Sequence, residues 1–148
     1  MSTSPGPDDR ERPSTGRRDA RERALELLYE AQAKDSSVGD ILAELPVEPH
    51  PYAVALATGV EANRTEIDDV IARHVREGWT LDRMPIVDLT LLRLATEELA
   101  RQPDVPVAVV ISEAVALAKQ FSTDDAGRFV NGVLGAVAAE VRGGPAAP

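Results

Sequence analysis

The sequence contains no cysteine and few aromatic residues. Without cysteine the chain has no disulfide, no thiolate zinc site and no cysteine nucleophile. Aromatic side chains make up only 3% of the residues, so the core must be built from Leu, Val, Ile and Ala. This composition favours helices that pack through aliphatic ridges.

Long hydrophobic runs are also missing from the sequence. No apolar run approaches the roughly 18 residues that a membrane helix needs. The first twenty residues are polar, charged and rich in Pro and Gly, unlike a signal peptide. We therefore expect a cytoplasmic protein without a membrane partner. With 148 residues and no internal repeat, the chain fits one domain.

Charge is unevenly distributed along the chain. The net charge is -9, but residues 10–23 hold six arginines and three acidic residues, so this arm carries +3 and the remainder carries -12. Such a division predicts two partners of opposite charge, an anionic one at the arm and a cationic one at the body. The alternative is a solubilising basic tail on an ordinary acidic domain.

The spacing of the apolar residues predicts an all-α helical bundle. Residues 1–16 and 143–148 combine Pro, Gly and polar residues, and we expect them to be disordered around a domain at 17–142. Inside the domain, apolar residues recur every three or four positions. The predicted helices cover 17–34, 38–45 with a cap at Ser36 or Ser37, 51–77 with a kink at Asn63 or Thr65, a short turn after Thr80, 86–101, 107–121, and a last helix capped by Asp124 or Asp125.

The first predicted helix carries a stripe of polar and aromatic residues beside its apolar stripe. Cations at a helix N-terminus oppose the macrodipole unless an anion is bound there. We therefore predict an exposed flank that binds single-stranded RNA, with arginines on phosphates and a tyrosine stacked on a base. In the alternative, acidic neighbours balance the arginines and the tyrosine packs. The stripe consists of Arg18, Arg21, Leu25, Tyr29 and Gln32.

A second segment of interest is RFVNGVL at 128–134. Gly132 costs about 1 kcal/mol in a helix relative to Ala, which predicts the close approach of a neighbouring helix. Asn131 needs hydrogen-bond partners if it is buried. Packing does not explain Arg128 and Phe129, so this pair is a second candidate for contacting a nucleotide.

Catalytic arrangements are weak in this sequence. His50 and His74 are far apart, and His74 falls on the apolar line of its helix, which predicts a satisfied core histidine. Adjacent acids such as Glu97 and Glu98 point in different directions on a helix and do not form an acid/base pair. No phosphate-binding glycine loop and no metal-ligand spacing is present. We predict no enzymatic activity, no cofactor and no metal.

Four segments resemble the NusB family of transcription antitermination factors, in the same order and at similar spacing. Together they extend over residues 17–141. The resemblance implies an all-α fold of about seven helices in two subdomains. It also implies a non-enzymatic adaptor that binds the boxA RNA of nascent ribosomal RNA transcripts together with ribosomal protein NusE, and helps RNA polymerase resist termination. The segments are RRDARERALELLYEAQ at 17–32, the stretch from Trp79 to Leu99, VPVAVVISEAVALAKQFS at 105–122 and FVNGVLG at 129–135.

The same resemblance implies roles for individual residues. Asp88 and Asp125 match positions that face NusE, and their acidity suits a basic ribosomal protein. The sequence departs from the family pattern at Asp19, which interrupts the arginine run, and at Glu97, where an aromatic residue is common. The residues that match RNA-binding positions are Arg17, Arg18, Arg21, Tyr29, Phe129 and Asn131.

Three alternatives follow from the same fold. Some family members self-associate, so a monomer and a homodimer both stay open. The regulatory domain of a ribosomal RNA cytosine methyltransferase shares the fold and an FVNG-like signature, but that enzyme needs a further catalytic domain with a cysteine nucleophile. A structural helical oligomer would ignore RNA at every salt concentration.

Overall fold

The computed structural model describes residues 13–76 and 78–143. The predicted disorder of residues 1–12 and 144–148 lies outside these ranges. The described residues form seven α-helices and one 3-10 turn, and they contain no strand. The all-α prediction is confirmed. No helix within the described ranges has the length and apolar character of a membrane span.

The helices are numbered in chain order. They are α1 (Pro13–Ala33), α2 (Val38–Ala43), α3 (Pro51–Ala62), α4 (Arg64–Ala72), the 3-10 turn (Leu81–Arg83), α5 (Ile86–Arg101), α6 (Val107–Phe121) and α7 (Asp124–Val141). The bounds of α5 and α6 and the turn after Thr80 agree with the prediction.

Two predicted helix boundaries are wrong by more than two residues. Residues 13–16 belong to α1 rather than to a disordered arm, because proline fits the first turn of a helix. The helix predicted at 51–77 is instead two helices, α3 and α4, and the second of them ends at Ala72. The break lies at Asn63, one of the two predicted kink positions, where the side-chain amide donates to the Gly59 carbonyl at 3.0 Å. An asparagine side chain that competes for backbone carbonyls favours such a break.

Side-chain hydroxyls cap two of the helices. Ser37 caps α2 by accepting a hydrogen bond from the Asp40 N–H at 3.0 Å, as predicted. Thr123 caps α7 by accepting from the Ala126 N–H at 2.9 Å, so the predicted aspartate cap is wrong by one position. Asp124 and Asp125 instead occupy the first turn of α7, where carboxylates interact favourably with the helix dipole.

Helix α5 is the centre of the bundle. It packs against α1, α3 and α4, which precede it in the chain, and against α6 and α7, which follow it. The core is aliphatic, as the composition predicted. Full burial of each leucine contributes roughly 2 kcal/mol. The largest fully buried aliphatic side chains of this core include Leu27, Leu56, Leu91, Leu92, Leu99 and Leu134.

The close approach predicted at Gly132 is wrong. A Cβ atom at Gly132 would meet no neighbouring atom within 4 Å. The tight contact occurs at Gly59 in α3, where a Cβ atom would lie 2.7 Å from Cδ of Glu97. Glu97 is buried and accepts a hydrogen bond from the Asn63 amide at 3.2 Å. This carboxylate therefore occupies the space that the glycine leaves free.

Two glycine substitutions test this packing. Gly135 in α7 has no neighbour within 4 Å of a built Cβ, so Gly135→Ala should raise the free energy of unfolding by about 0.5–1 kcal/mol. Gly59→Ala should lower it, because the added methyl overpacks the site against Glu97 at a cost of about 1–3 kcal/mol. Urea denaturation measures both variants. A Gly59→Ala protein as stable as the Gly135→Ala protein would contradict the contact.

Candidate nucleic-acid interface

Helix α1 places the predicted RNA-binding residues in different environments. Arg18 and Gln32 are exposed, and Tyr29 is 47% exposed. Arg21 and Leu25 are buried, each at 5% exposure. The prediction of one exposed stripe is therefore wrong for these two residues. The reason is that α1 packs against both α3 and α5, so its buried arc is wider than its apolar stripe.

Arg21 forms a buried ion pair with Glu98 of α5. Its Nε donates to Oε1 at 2.9 Å and its Nη2 donates to Oε2 at 2.6 Å. The Tyr52 hydroxyl of α3 also donates to Oε2, at 2.6 Å. Burial and the hydrogen bond to Glu98 raise the pKa of Tyr52, so its hydroxyl stays protonated and remains a donor. Glu98 therefore links α1, α3 and α5, and Arg21 is a positioning residue that holds α1 to this carboxylate.

Two further arginines of α1, Arg18 and Arg17, face acidic side chains of other parts of the chain. Arg18 donates from Nε and Nη2 to the two carboxylate oxygens of Glu113 at 3.0 and 2.8 Å. This hydrogen-bonded pairing raises the pKa of Arg18. Arg17 lies over the Tyr52 ring, 4.8 Å from its centroid, and 3.6 Å from Asp104. The side chain of Arg18 is still 64% exposed, so an anion can reach it.

Tyr29 lines an apolar cleft of about 230 Å³ between α1, α5 and α6. The cleft contains Leu25, Val87 and Phe121, and Phe121 is exposed like Tyr29. Part of the tyrosine ring is therefore available to a partner. The geometry is compatible with a base stacked on the ring and with an apolar side chain inserted beside it.

The two predicted NusE-facing acids differ in exposure. Asp125 is exposed at the start of α7 and forms an ion pair with Arg128. Asp88 is buried in the first turn of α5, and its Oδ1 has no hydrogen-bond partner among the described residues. It is buried because α5 is surrounded by other helices. Only Asp125 is directly accessible in this conformation.

The FVNG segment of α7 is only partly on the surface, because its Val130 is buried in the core. Arg128 and Asn131 are exposed, so Asn131 needs no internal hydrogen-bond partner. Phe129 is half-buried and packs against Trp79, with 5.8 Å between ring centroids and an interplanar angle of 31°. Sequence reasoning did not single out Trp79 as a site residue. The available signal was that the one tryptophan of the chain lies in a short segment between two helices.

His74 belongs to a surface ion cluster. It is partly exposed rather than in the core, so this prediction is wrong in position, although the side chain is satisfied. Its Nε2 lies 2.7 Å from Glu140 Oε1, and Arg73 pairs with the other oxygen of the same carboxylate. The hydrogen bonds from Arg73 and His74 lower the pKa of Glu140 to about 2.

The Glu140 cluster predicts a pH dependence of stability. The folded-state pKa of about 2 is below the ordinary value of 4.5, so the contribution of this carboxylate is complete above the ordinary pKa and is lost as the pH falls toward the folded pKa. Glu140→Gln removes the titrating group. The unfolding free energy of the variant should fall less steeply between about pH 5 and 2 than that of the native protein. Urea denaturation at several pH values measures this dependence. An equal pH dependence of the unfolding free energy in the two proteins would contradict the cluster.

The buried ion pair predicts unequal effects of two arginine substitutions. Arg21→Ala leaves the Glu98 carboxylate buried and without its cation, so it should lower the free energy of unfolding by about 3–5 kcal/mol. Arg18→Ala removes an exposed pair and should change stability little. Urea denaturation of the two variants measures the difference. Equal stability of the two proteins would show that Arg21 does not anchor α1.

Comparison with known proteins places the whole arrangement in a family. The family model described as the NusB family matches residues 18–139. The structure of T. maritima NusB has a TM-score of 0.76 and 35% sequence identity, covering 84% of this chain and 91% of that chain. The solution structure of NusB from Aquifex aeolicus has a TM-score of 0.70 and 30% identity, covering 90% and 95%.

A third solved structure is a complex. It contains the antitermination factors NusB and NusE with dsRNA, and the matching chain has a TM-score of 0.71 and 28% identity, covering 83% of this chain and 96% of that chain. The resemblance predicted from the four sequence segments is confirmed by the family match and by these structures. The chain belongs to the NusB family.

Proposed function

We propose that this chain is a non-enzymatic antitermination adaptor that binds boxA RNA of nascent ribosomal RNA transcripts together with NusE. The observation that carries the proposal is the exposed part of α1, where Arg18, Tyr29 and Gln32 remain accessible on a member of the NusB family. The solved complex of NusB and NusE with dsRNA supports both partners. The assembled pair acts on RNA polymerase in the cytoplasm.

The RNA contacts divide into phosphate binding and base stacking. Arg17 and Arg18 supply guanidinium groups to phosphates, while Tyr29 stacks on an unpaired base and Gln32 hydrogen-bonds beside it. Arg21 contributes indirectly by fixing the rotation of α1 through Glu98. A second group of RNA contacts lies on α7, where Arg128 and Asn131 are exposed and Phe129 is half-buried.

The NusE contacts combine acidic and apolar residues. Asp125 is exposed, and Phe121 lies four positions before it, at the end of α6, in the apolar cleft that also contains Val87. Asp88 follows Val87 and adds negative charge behind the cleft. An apolar side chain of a cationic protein fits between these acids, because complementary charge orients the encounter while the cleft excludes water.

A salt titration tests the RNA half of the proposal. Arg18→Ala should weaken the binding of boxA-containing single-stranded RNA and lower the slope of log K against log salt by roughly 0.7 for one lost phosphate contact. Gel-shift titrations with and without NusE at several salt concentrations measure both quantities, and NusE should tighten binding. Arg101→Ala is the matched control, because Arg101 is an exposed arginine paired with Glu66 at 3.0 Å. Native-like binding by Arg18→Ala would remove α1 from the mechanism.

A calorimetric titration tests the NusE half. Asp125→Asn should weaken NusE binding several-fold and reduce its salt dependence, because one charge at the edge of the interface is lost. Phe121→Ala should weaken binding further because it removes one apolar wall of the cleft that receives the NusE side chain. Asp69→Asn, an exposed acid on α4, should bind like the native chain. If Asp69→Asn and Asp125→Asn weaken binding equally, only net charge matters and the proposed surface is wrong.

A further inference from the structure

A hollow of about 310 Å³ lies between the segment after α4 and the first half of α7. We name it the Trp79 hollow. Its walls include two aromatic rings and two guanidinium groups, and none of the α1 side chains that the structure describes lines it. It is therefore separate from the α1 flank that carries the proposed function. Its residues include Arg76, Trp79, Arg128, Phe129 and Gly132.

The aromatic pair gives the hollow a flat, half-exposed wall. Trp79 is 45% exposed although it packs against Phe129. The packing against Phe129 restricts the indole, while its exposed part is accessible to a ligand. Exposed aromatic faces of this kind stack on unpaired bases, and they do so without sequence preference.

The charged residues of the hollow favour an anionic ligand. Arg76 and Arg128 are both exposed. Arg128 forms an ion pair with Asp125. His74, at the edge of the hollow, lies against the Glu140 carboxylate. Two cations beside a flat apolar wall match a nucleotide, whose base stacks while its phosphate is neutralised. They disfavour a cationic protein partner.

A ligand in the hollow would account for the glycine at position 132. Apart from its two chain neighbours and the backbone of its own helix, no atom of the described residues lies within 4 Å of the position of its missing Cβ, so packing against other helices does not require a glycine here. Because Gly132 has no side chain and lines the hollow, the backbone of α7 is accessible to a ligand there. Close approach of a ligand to the helix backbone is one general use of glycine.

We propose that the Trp79 hollow binds an unpaired nucleotide of the same RNA that α1 binds, with its base stacked on Trp79 and its phosphate held by Arg76 and Arg128. This inference rests on the proposed function. It extends the RNA-binding surface by a second stacking position, and it assigns Trp79 and Arg76 to that surface.

Intrinsic fluorescence tests the inference directly, because Trp79 is the only tryptophan in the chain. Titration of the native protein with single-stranded boxA-containing RNA should quench the fluorescence, with the same midpoint as a parallel gel shift. Trp79→Ala should bind that RNA about tenfold more weakly, the usual order for one lost stacking contact. Trp79→Phe should bind with nearly native affinity, since it keeps a stacking ring.

Two further variants separate the hollow from the rest of the surface. Gly132→Ala should weaken RNA binding, whereas Gly135→Ala, in the same helix and equally free of neighbours but outside the hollow, should not. Arg18→Ala should shift the midpoint of quenching and leave the quenching at saturation unchanged.

The possible results distinguish this inference from the proposed function. RNA binding in the gel shift without quenching, or equal quenching by a fully paired duplex of the same sequence, overturns the stacking in the hollow and leaves the α1 surface intact. Native affinity of Trp79→Ala does the same. Failure of the native protein to bind the RNA at any salt concentration, with or without NusE, overturns the proposed function and this inference together.

Discussion

The buried ion pair between Arg21 and Glu98 determines where α1 lies on the bundle. Two charged groups removed from water need each other's hydrogen bonds, so only a narrow range of positions of α1 satisfies both. Tyr52 adds a donor from α3 and narrows that range further. The accessible residues of α1, including Arg18 and Tyr29, take their positions relative to α5 and α6 from this anchor.

The prediction from sequence succeeded where the signal is local. Apolar spacing, the Ser37 cap and the tendency of Asn63 to break a helix all act within a few residues, so the all-α class and most helices could be read from the chain. The burial of Arg21 could not. An arginine at the border of an apolar stripe looks the same whether it faces water or a carboxylate, and its partner is 77 positions away in the sequence.

The glycines also show that a contact between distant parts of the chain cannot be predicted from local sequence. Gly132 and Gly59 carry the same helix penalty, and the sequence does not say which of them a neighbour requires. The answer depends on Glu97, which reaches Gly59 only after α3 and α5 have packed. Trp79 and Phe129 are likewise 50 positions apart, and their contact arises from tertiary packing.

Glu113 competes with any external anion for the guanidinium group of Arg18. A phosphate that binds this guanidinium group must replace a carboxylate that already accepts two hydrogen bonds from it. A single mononucleotide therefore gains little binding free energy from this replacement. A polymer that engages several cations in one event recovers the loss at one site from contacts at the others. In the proposed RNA complex, this internal carboxylate favours the binding of long phosphate chains over that of small anions.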